Sequence, residues 1–485
     1  MKLWTVAAGA LVCGVAAATA AAIGGNTQIA PLFAWYVVAW VLFAAAVWAL
    51  GRVPARHAVV LVLAGGALVA GAGLLAQPRT SDDAYRYVWD GRVQADGLSP
   101  YDRAPDDPSL AHLRDDLLFP PGTDCTGMWD AGDVCTRINR PAVHTIYPPV
   151  AEGYFLLVHL VSPGVDGITA LQVAGWLLAM GTTVVLLRSG LHRSGRSVTR
   201  SIPVVAPGDS EPPFLGRPQT WAALWAWCPA IALEAVNNAH VDALAALLTV
   251  AAFAVVARRA LPGGALLGAA IAAKLLPAVT IPGLLSGALR DRRWKALVPV
   301  GAALATVALT YVPYVLLSRG SVLGYLGGYV DEEGYEDSGD TGRYALVRLL
   351  LPGSWETPAV LLTATLAVLL AVAVAIGLRG DPSRPWRGAL TFTGAAFLLM
   401  TPGYAWYALL LIGLTALDGR WEWLAVAAAS AVTYVPGEYA HTETAAYALA
   451  AIVVILGALA RRGYLPRVPQ TPPRGHRPRR NTAAR

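Results

Sequence analysis

Acids, arginines and aromatics crowd into one stretch, Ser81-Asp82-Asp83-Ala84-Tyr85-Arg86-Tyr87-Val88-Trp89-Asp90-Gly91-Arg92, directly behind a long apolar run. Charges at the edge of a bilayer are costly without partners, so a dense cluster there points to function. The plain alternative is a solvated loop with helix-capping acids. Read as a helix, the stretch brings Asp83, Arg86, Tyr87 and Asp90 onto one face by i, i+3 and i+4 spacing, and pairs Asp82 with Arg86 in the same way. Each carboxylate then has a cationic neighbour that keeps it ionised at neutral pH. An ionised aspartate within hydrogen-bond reach of a hydroxyl is a suitable general base. Asp83 ranks first for that role and Asp82 second, while Asp90 has the alternative of a structural pairing with Arg86 or Arg92.

Other polar groups interrupt apolar sequence further along. Thr145-Ile146-Tyr147-Pro148-Pro149 joins a rigid extended entry to Tyr147, an amphipathic ring of the kind that sits at headgroup level; alone it reads equally as a helix start. Glu234 and then Asn237-Asn238-Ala239-His240-Val241-Asp242 separate two apolar runs. His240 and Asp242 can hold a phosphate or a hydroxyl, but two such residues fall short of the three or more ligands of an ordinary metal site. No metal site is therefore expected, and dependence on a divalent cation stays open. The chain has three lysines, and only Lys274 lies deep in an apolar run, Gly268 to Pro277. Such an ammonium must snorkel, pair or face a polar cavity, and phosphate is its obvious counter-charge. Pro402-Gly403-Tyr404-Ala405-Trp406-Tyr407 breaks another run, and Tyr404 and Trp406 read as an interfacial belt or as a wall for a ring or a lipid chain. Arg343 and Arg348 are further candidate phosphate ligands.

These groups need a membrane scaffold to position them. Of 485 residues, 56% are hydrophobic and 14% charged, against roughly 25% charged in soluble domains. Apolar runs near the roughly 20 residues that cross a bilayer recur throughout. Residues 3–23 could pass for a signal peptide, but further apolar runs follow at once, so they read as a first span. Spans are expected at 3–23, 32–50, 57–77, 167–187, 218–236, 241–257, 296–317, 357–378, 422–436 and 444–460. The stretches 262–289 and 388–417 read as short helices joined at a proline, and the run after Pro149 as a re-entrant or interfacial helix.

The expected organisation follows from these runs: three N-terminal spans (1–77), an extracytoplasmic loop with its re-entrant helix (78–166), and spans over 167–317 around a basic cytoplasmic loop at 188–217. A second extracytoplasmic loop (318–356), C-terminal spans (357–460) and a basic, disordered cytoplasmic tail (461–485) complete it. Arginine clusters set that orientation by the positive-inside rule. The tail holds eight arginines and no acid, whereas 78–145 holds twelve aspartates and seven arginines, which suits an exterior face. The basic residues act as topology signals, so no nucleic-acid partner is expected. An oxidising exterior suits a disulfide between Cys125 and Cys135, the two cysteines of the large loop.

Taken in order, the Asp-Asp-x-Tyr-Arg-Tyr-x-Trp-Asp-Gly-Arg loop, Gly97-Leu98-Ser99-Pro100-Tyr101, Tyr147-Pro148-Pro149, His240-x-Asp242, the Lys274-x-x-Pro277 run and Pro402 to Tyr407 resemble the polyprenyl-phosphate-dependent glycosyltransferases of the C superfamily. The resemblance is to the bacterial family 87 mannosyltransferases in particular and covers roughly residues 80–465. It implies an all-α, polytopic helical bundle with large extracytoplasmic loops, in a bacterial plasma membrane, with its active site facing outside and its C-terminus in the cytoplasm. The implied reaction is inverting transfer of a sugar, mannose first and arabinose as the alternative, from a polyprenyl-phosphate donor. The acceptor is a glycan or glycolipid of the cell envelope, as in lipoglycan biosynthesis. Asp83 or Asp82 maps to the base, and Lys274 with Arg86, Arg343 or Arg348 to the cations around the leaving phosphate. Membrane lipid is the remaining partner. A transporter or flippase of lipid-linked sugar is the reading from a different class, since broken helices and an intramembrane lysine suit it too.

Overall fold

A computed structural model describes residues 2–25, 29–122, 124–132, 134–198, 217–320, 322–324, 335, 342–435 and 442–462. The expectations for most of the basic loop 188–217, for the acids Asp331-Glu332-Glu333 and Glu336-Asp337, and for the tail beyond residue 462 lie outside those residues. The fold is an all-α bundle; its one strand pair, Trp129–Asp130 with Cys135–Thr136, is two residues long on each side.

Seven helices among the described residues are long and apolar enough to cross a membrane. Three open the chain: α1 (Lys2–Gly24), α2 (Ile29–Leu50) and α3 (Ala55–Gly71), the last continued by a 3-10 turn to Leu75. After the acid-rich segment come α4 (Asp83–Ala95), α5 (Pro149–Val161) and the long α6 (Gly167–Val198). The helices Leu297–Leu317, Pro358–Arg379 and Glu443–Arg461 show much of their apolar surface, as lipid-facing helices do. The chain is a multi-pass membrane protein.

The remaining apolar runs are broken, and the breaks matter most. The run 218–236, expected as one span, is two pieces. Helix α7 (Pro218–Ala226) ends at Trp227, before Cys228-Pro229, and a π-helical turn, Ile231–Asn237, follows. Pro229 has no N–H to donate and its ring clashes with the preceding turn, so the helix cannot run through it. The π turn then bends by 113° into α8 (Asp242–Val255). A second break follows α9 (Ala260–Ala273), where Lys274 is extended and Leu276–Thr280 restarts as a 3-10 turn containing Pro277. The third lies between the helices Pro385–Met400 and Ala408–Asp418, at Thr401-Pro402-Gly403. Non-helical backbone at membrane depth persists only where it is buried in protein or lines a cavity, because lipid cannot satisfy its polar groups.

The segment between α3 and α5 is a folded layer with its own core. Tyr87 stacks on Phe155 with ring centroids 4.3 Å apart and meets Tyr147 edge-on at 5.0 Å, and Trp89 packs on Phe119. Helix α4 lies close against α5 because residue 91 is glycine; a Cβ there would come within 2.6 Å of the Phe155 carbonyl oxygen. Cys125 and Cys135 are joined by a disulfide, their Cα atoms 5.1 Å apart.

Candidate active site

The three breaks and the start of α4 meet. Asp83, at the first turn of α4, turns its carboxylate toward the His240 segment between the π turn and α8. Asn139 donates to its Oδ1 at 2.7 Å, the Tyr87 hydroxyl reaches Oδ2 at 3.5 Å, and His240 Nδ1 stands 3.6 Å from Oδ2. The other imidazole nitrogen of His240 lies 3.4 Å from Glu234 Oε2, so the ring is held between two carboxylates. It also stacks on Trp406, centroids 4.0 Å apart, and Trp406 stacks on Tyr404 at 4.5 Å. Lys274 sits 3.5 Å from Asp242 Oδ2, with its ammonium 5.2 Å from the Tyr147 ring and 5.7 Å from that of Tyr407. Burial alone would raise the Asp83 pKa. The hydrogen bond and charge of His240, the charge of Lys274 and the Asn139 amide outweigh it and hold the carboxyl well below the usual carboxylate range.

These groups line two cavities that touch. One, of about 240 Å³, is polar: Asp82, Asp83, Arg86, Asn139 and Lys274 line it, with Tyr404 and Trp406 on one wall. The other, of about 430 Å³, is apolar: Leu275, Val279, Phe397, Met400 and Tyr407 are among its walls. Ile146, Tyr147 and Lys274 belong to both. An ammonium thus stands where an acid-lined chamber meets a greasy one.

The placement of the expected residues is uneven. Asp82, Asp83, Arg86, Tyr147, Lys274, Tyr404 and Trp406 line the polar cavity. His240 and Asp242 are buried behind it, next to Asp83 and Lys274 respectively. Tyr87 is buried and its hydroxyl lies 3.5 Å from Asp83 Oδ2. The expected pairing of Asp82 or Asp83 with Arg86 is corrected. Arg86 turns along its own helix to Asp90, 3.3 Å from Oδ1, and donates to the carbonyls of Val143 and Arg140. Asp82 instead accepts from the Trp129 indole at 3.3 Å. The i, i+4 geometry serves Arg86 and Asp90 equally well, and both residues are buried. Burial pushes the Asp90 carboxyl up and the Arg86 charge opposes it. Asp90 is therefore a structural partner of Arg86. Arg343 and Arg348 do not line the cavity: Arg343 lies under Gly403 and donates to the Thr401 carbonyl, and Arg348 pairs with Glu356 at 3.3 Å.

Two contributors, Asn139 and Trp129, were not singled out from the sequence, and Asn237-Asn238 were quoted there without a role. Asn139 and Trp129 come from the irregular loop, where no period marks a face. The doublet Asn237-Asn238 is a clamp: Asn237 donates to the carbonyls of Gly73, Ala76 and Gln77 and accepts from Arg79 N at 3.0 Å. Asn238 accepts from the amides of Arg79 and Thr80, and the Tyr434 hydroxyl donates to the Thr80 carbonyl at 2.6 Å. The clamp fixes the chain just before Asp82. Two adjacent asparagines inside an apolar run were the available signal. Among the described residues, no group of three or more His, Cys, Asp or Glu is arranged to hold a metal ion.

The described residues thus form a polytopic helical bundle whose broken spans gather buried acids and a lysine beneath a folded loop layer. The model of glycosyltransferase family 87 matches residues 145–402, more than half of the chain, and the chain belongs to that family. It is a membrane glycosyltransferase of the polytopic helical type. The matched stretch holds Tyr147, His240, Asp242 and Lys274, while Asp82 and Asp83 precede it and Tyr404 and Trp406 follow it. No curated protein and no solved structure matches the chain.

Proposed function

We propose that the protein transfers a sugar, mannose in the first instance, with inversion from a polyprenyl-phosphate donor to a glycan or glycolipid acceptor of the cell envelope. The observation that carries this reading is the junction of the two cavities at Lys274 and Tyr147. A prenyl chain needs an apolar channel, its phosphate a cation, and its sugar a polar chamber with a base; the three environments adjoin in that order. Asp83 accepts the proton of the acceptor hydroxyl, the oxygen attacks the anomeric carbon, and the bond from that carbon to the phosphate oxygen breaks. The electron pair leaves on the phosphate, which gains a second negative charge near Lys274, so that the ammonium stabilises the transition state more than the ground state. His240 does not reach the acceptor; it positions Asp83 and keeps it charged. The distribution of arginines supports an orientation with this site facing outward and the C-terminus inward, and the resemblance to bacterial family 87 enzymes supports a bacterial plasma-membrane setting.

The test is incubation of the purified protein with polyprenyl-phospho-mannose or polyprenyl-phospho-arabinose and candidate acceptors, with product and released polyprenyl phosphate both quantified. Replacing a general base lowers turnover by roughly 10²–10⁴-fold, and Asp83→Asn is expected in that range. Full transfer by that variant sinks the base assignment; movement of the lipid-linked sugar across a bilayer without product sinks the enzyme reading in favour of transport.

A further inference from the structure

The rim of the polar cavity carries an aromatic ring placed differently from the others. Trp129 is 42% exposed, whereas Tyr147 and Trp406, which also line the cavity, are buried. Its indole N–H donates to Asp82, and neither residue lines the apolar cavity. The ring is therefore part of the polar chamber, at its open side, away from the lipid-like channel.

The chain holds it there by construction. Trp129 pairs with Thr136, and Asp130 with Cys135, in a short antiparallel hairpin. The Cys135–Thr136 strand is buried, the Thr136 hydroxyl donates to the Leu118 carbonyl at 2.8 Å, and the disulfide ties Cys135 back to Cys125. The amide of Gly132 donates to Asp130 Oδ1 at 2.9 Å, and its φ of +81° suits the turn to glycine. One strand is buried and tied to Leu118 of the loop-layer core, and the other, exposed at both residues, presents Trp129. A single exposed apolar side chain is ordinary. An indole on a disulfide-tied hairpin, beside a carboxylate at the mouth of a reaction chamber, has a specific use. Sugar rings present an apolar C–H face and a rim of hydroxyls, and an aromatic face with an adjacent acceptor oxygen complements both.

We propose that Trp129 and Asp82 form the acceptor subsite, the indole receiving the C–H face of a sugar ring and the carboxylate accepting one of its hydroxyls. The acceptor is then a glycan or glycolipid that ends in a ring sugar, and not a bare lipid alcohol. Asp82 binds the acceptor while Asp83 takes its proton. This inference rests on the glycosyl-transfer reading above.

Initial rates test it, with polyprenyl-phospho-mannose or -arabinose as donor, octyl mannoside as a ring acceptor, and octyl glyceryl ether as an acceptor with hydroxyls but no ring. The wild type is expected to favour octyl mannoside. Trp129→Ala raises the KM for octyl mannoside about tenfold, the order of one lost ring contact, leaves the donor KM within about twofold, and removes the preference over the ether. Trp129→Phe, which keeps a ring and loses the N–H, restores most of that preference. A scaffold role alone would change both acceptors and the donor together, and that pattern overturns the proposal, as do an unchanged octyl mannoside KM in Trp129→Ala and a wild type that prefers the ether. Absence of product from the wild type with either donor overturns the functional reading itself; product from the wild type with no effect of Trp129→Ala overturns this inference alone.

Discussion

Replacing Lys274 by methionine separates its two roles. The ammonium stands 3.5 Å from the buried Asp242 carboxylate and faces the junction of the two cavities. In the proposed reaction it also meets the leaving phosphate. At an effective dielectric of about 20, unit charges about 4 Å apart interact by about 4 kcal/mol. Loss of one preorganised group at a developing anion lowers kcat by about 10²–10³-fold, so a fall in that range is expected for Lys274→Met. The same change strips Asp242 of its partner, and an uncompensated buried charge destabilises by about 3–5 kcal/mol. The double variant Lys274→Met, Asp242→Asn removes the stranded charge without returning the cation. Thermal unfolding in detergent is expected to recover toward wild type in the double variant, while transfer from polyprenyl-phospho-sugar stays at the level of Lys274→Met. Recovery of kcat/KM to within about tenfold of wild type, on the scale of about 1.4 kcal/mol per decade, would falsify the phosphate role and leave Lys274 as the structural partner of Asp242.

Two further outcomes follow from the surroundings of Asp83. Because its carboxyl is held well below the usual range, it stays ionised as pH falls through the ordinary aspartate value of about 3.9, and the acid limb of kcat/KM is not expected to belong to it. Its contribution to stability is present above that unfolded value and is lost only as pH falls through the lower folded one. Asn139→Ala removes a 2.7 Å hydrogen bond from the ionised form, so the carboxyl rises while His240 and Lys274 still hold it down; turnover is expected to fall with the acid limb unmoved, and an acid limb that moves upward in that variant would show that the limb does belong to Asp83. Asn237→Ala removes the donor to the buried Gly73 carbonyl and to the Gln77 carbonyl, while Ala76 keeps Gln172 and Arg79 keeps Asn238. Unmet buried groups destabilise by about 1–3 kcal/mol each, so a lower unfolding temperature together with reduced turnover is expected, and wild-type values of both in Asn237→Ala would show that the clamp does not position the acids.

Much of this architecture is legible in a linear reading because it depends on local composition. An apolar run such as Lys2–Gly24 or Pro358–Arg379 must be a helix in lipid, since only a helix satisfies its backbone internally. The helix beginning at Asp83 was readable from its charges and i, i+4 spacing, and the breaks at Lys274–Pro277 and Pro402-Gly403 from their prolines. Pro229 offered the same signal for the end of α7, yet the 113° bend between the π turn and α8, at residues 238–241, contains no proline and depends on what packs beneath it.

Partner choice was not legible. Arg86 could serve Asp82, Asp83 or Asp90 by spacing alone, and burial beside the Val143 carbonyl selects Asp90. The imidazole, amide and indole that hold Asp83 and Asp82 arrive from His240, Asn139 and Trp129, distant in sequence and brought together by the folding of the loop layer onto the broken spans. Sequence by itself determined which runs are apolar enough to enter lipid, most of the places where they break and which rare charges they carry, because those follow from the transfer of each short segment out of water. Only the tertiary structure decided which charge answers which, because Coulomb and hydrogen-bond energies depend on distances of a few ångströms between residues that the sequence leaves far apart.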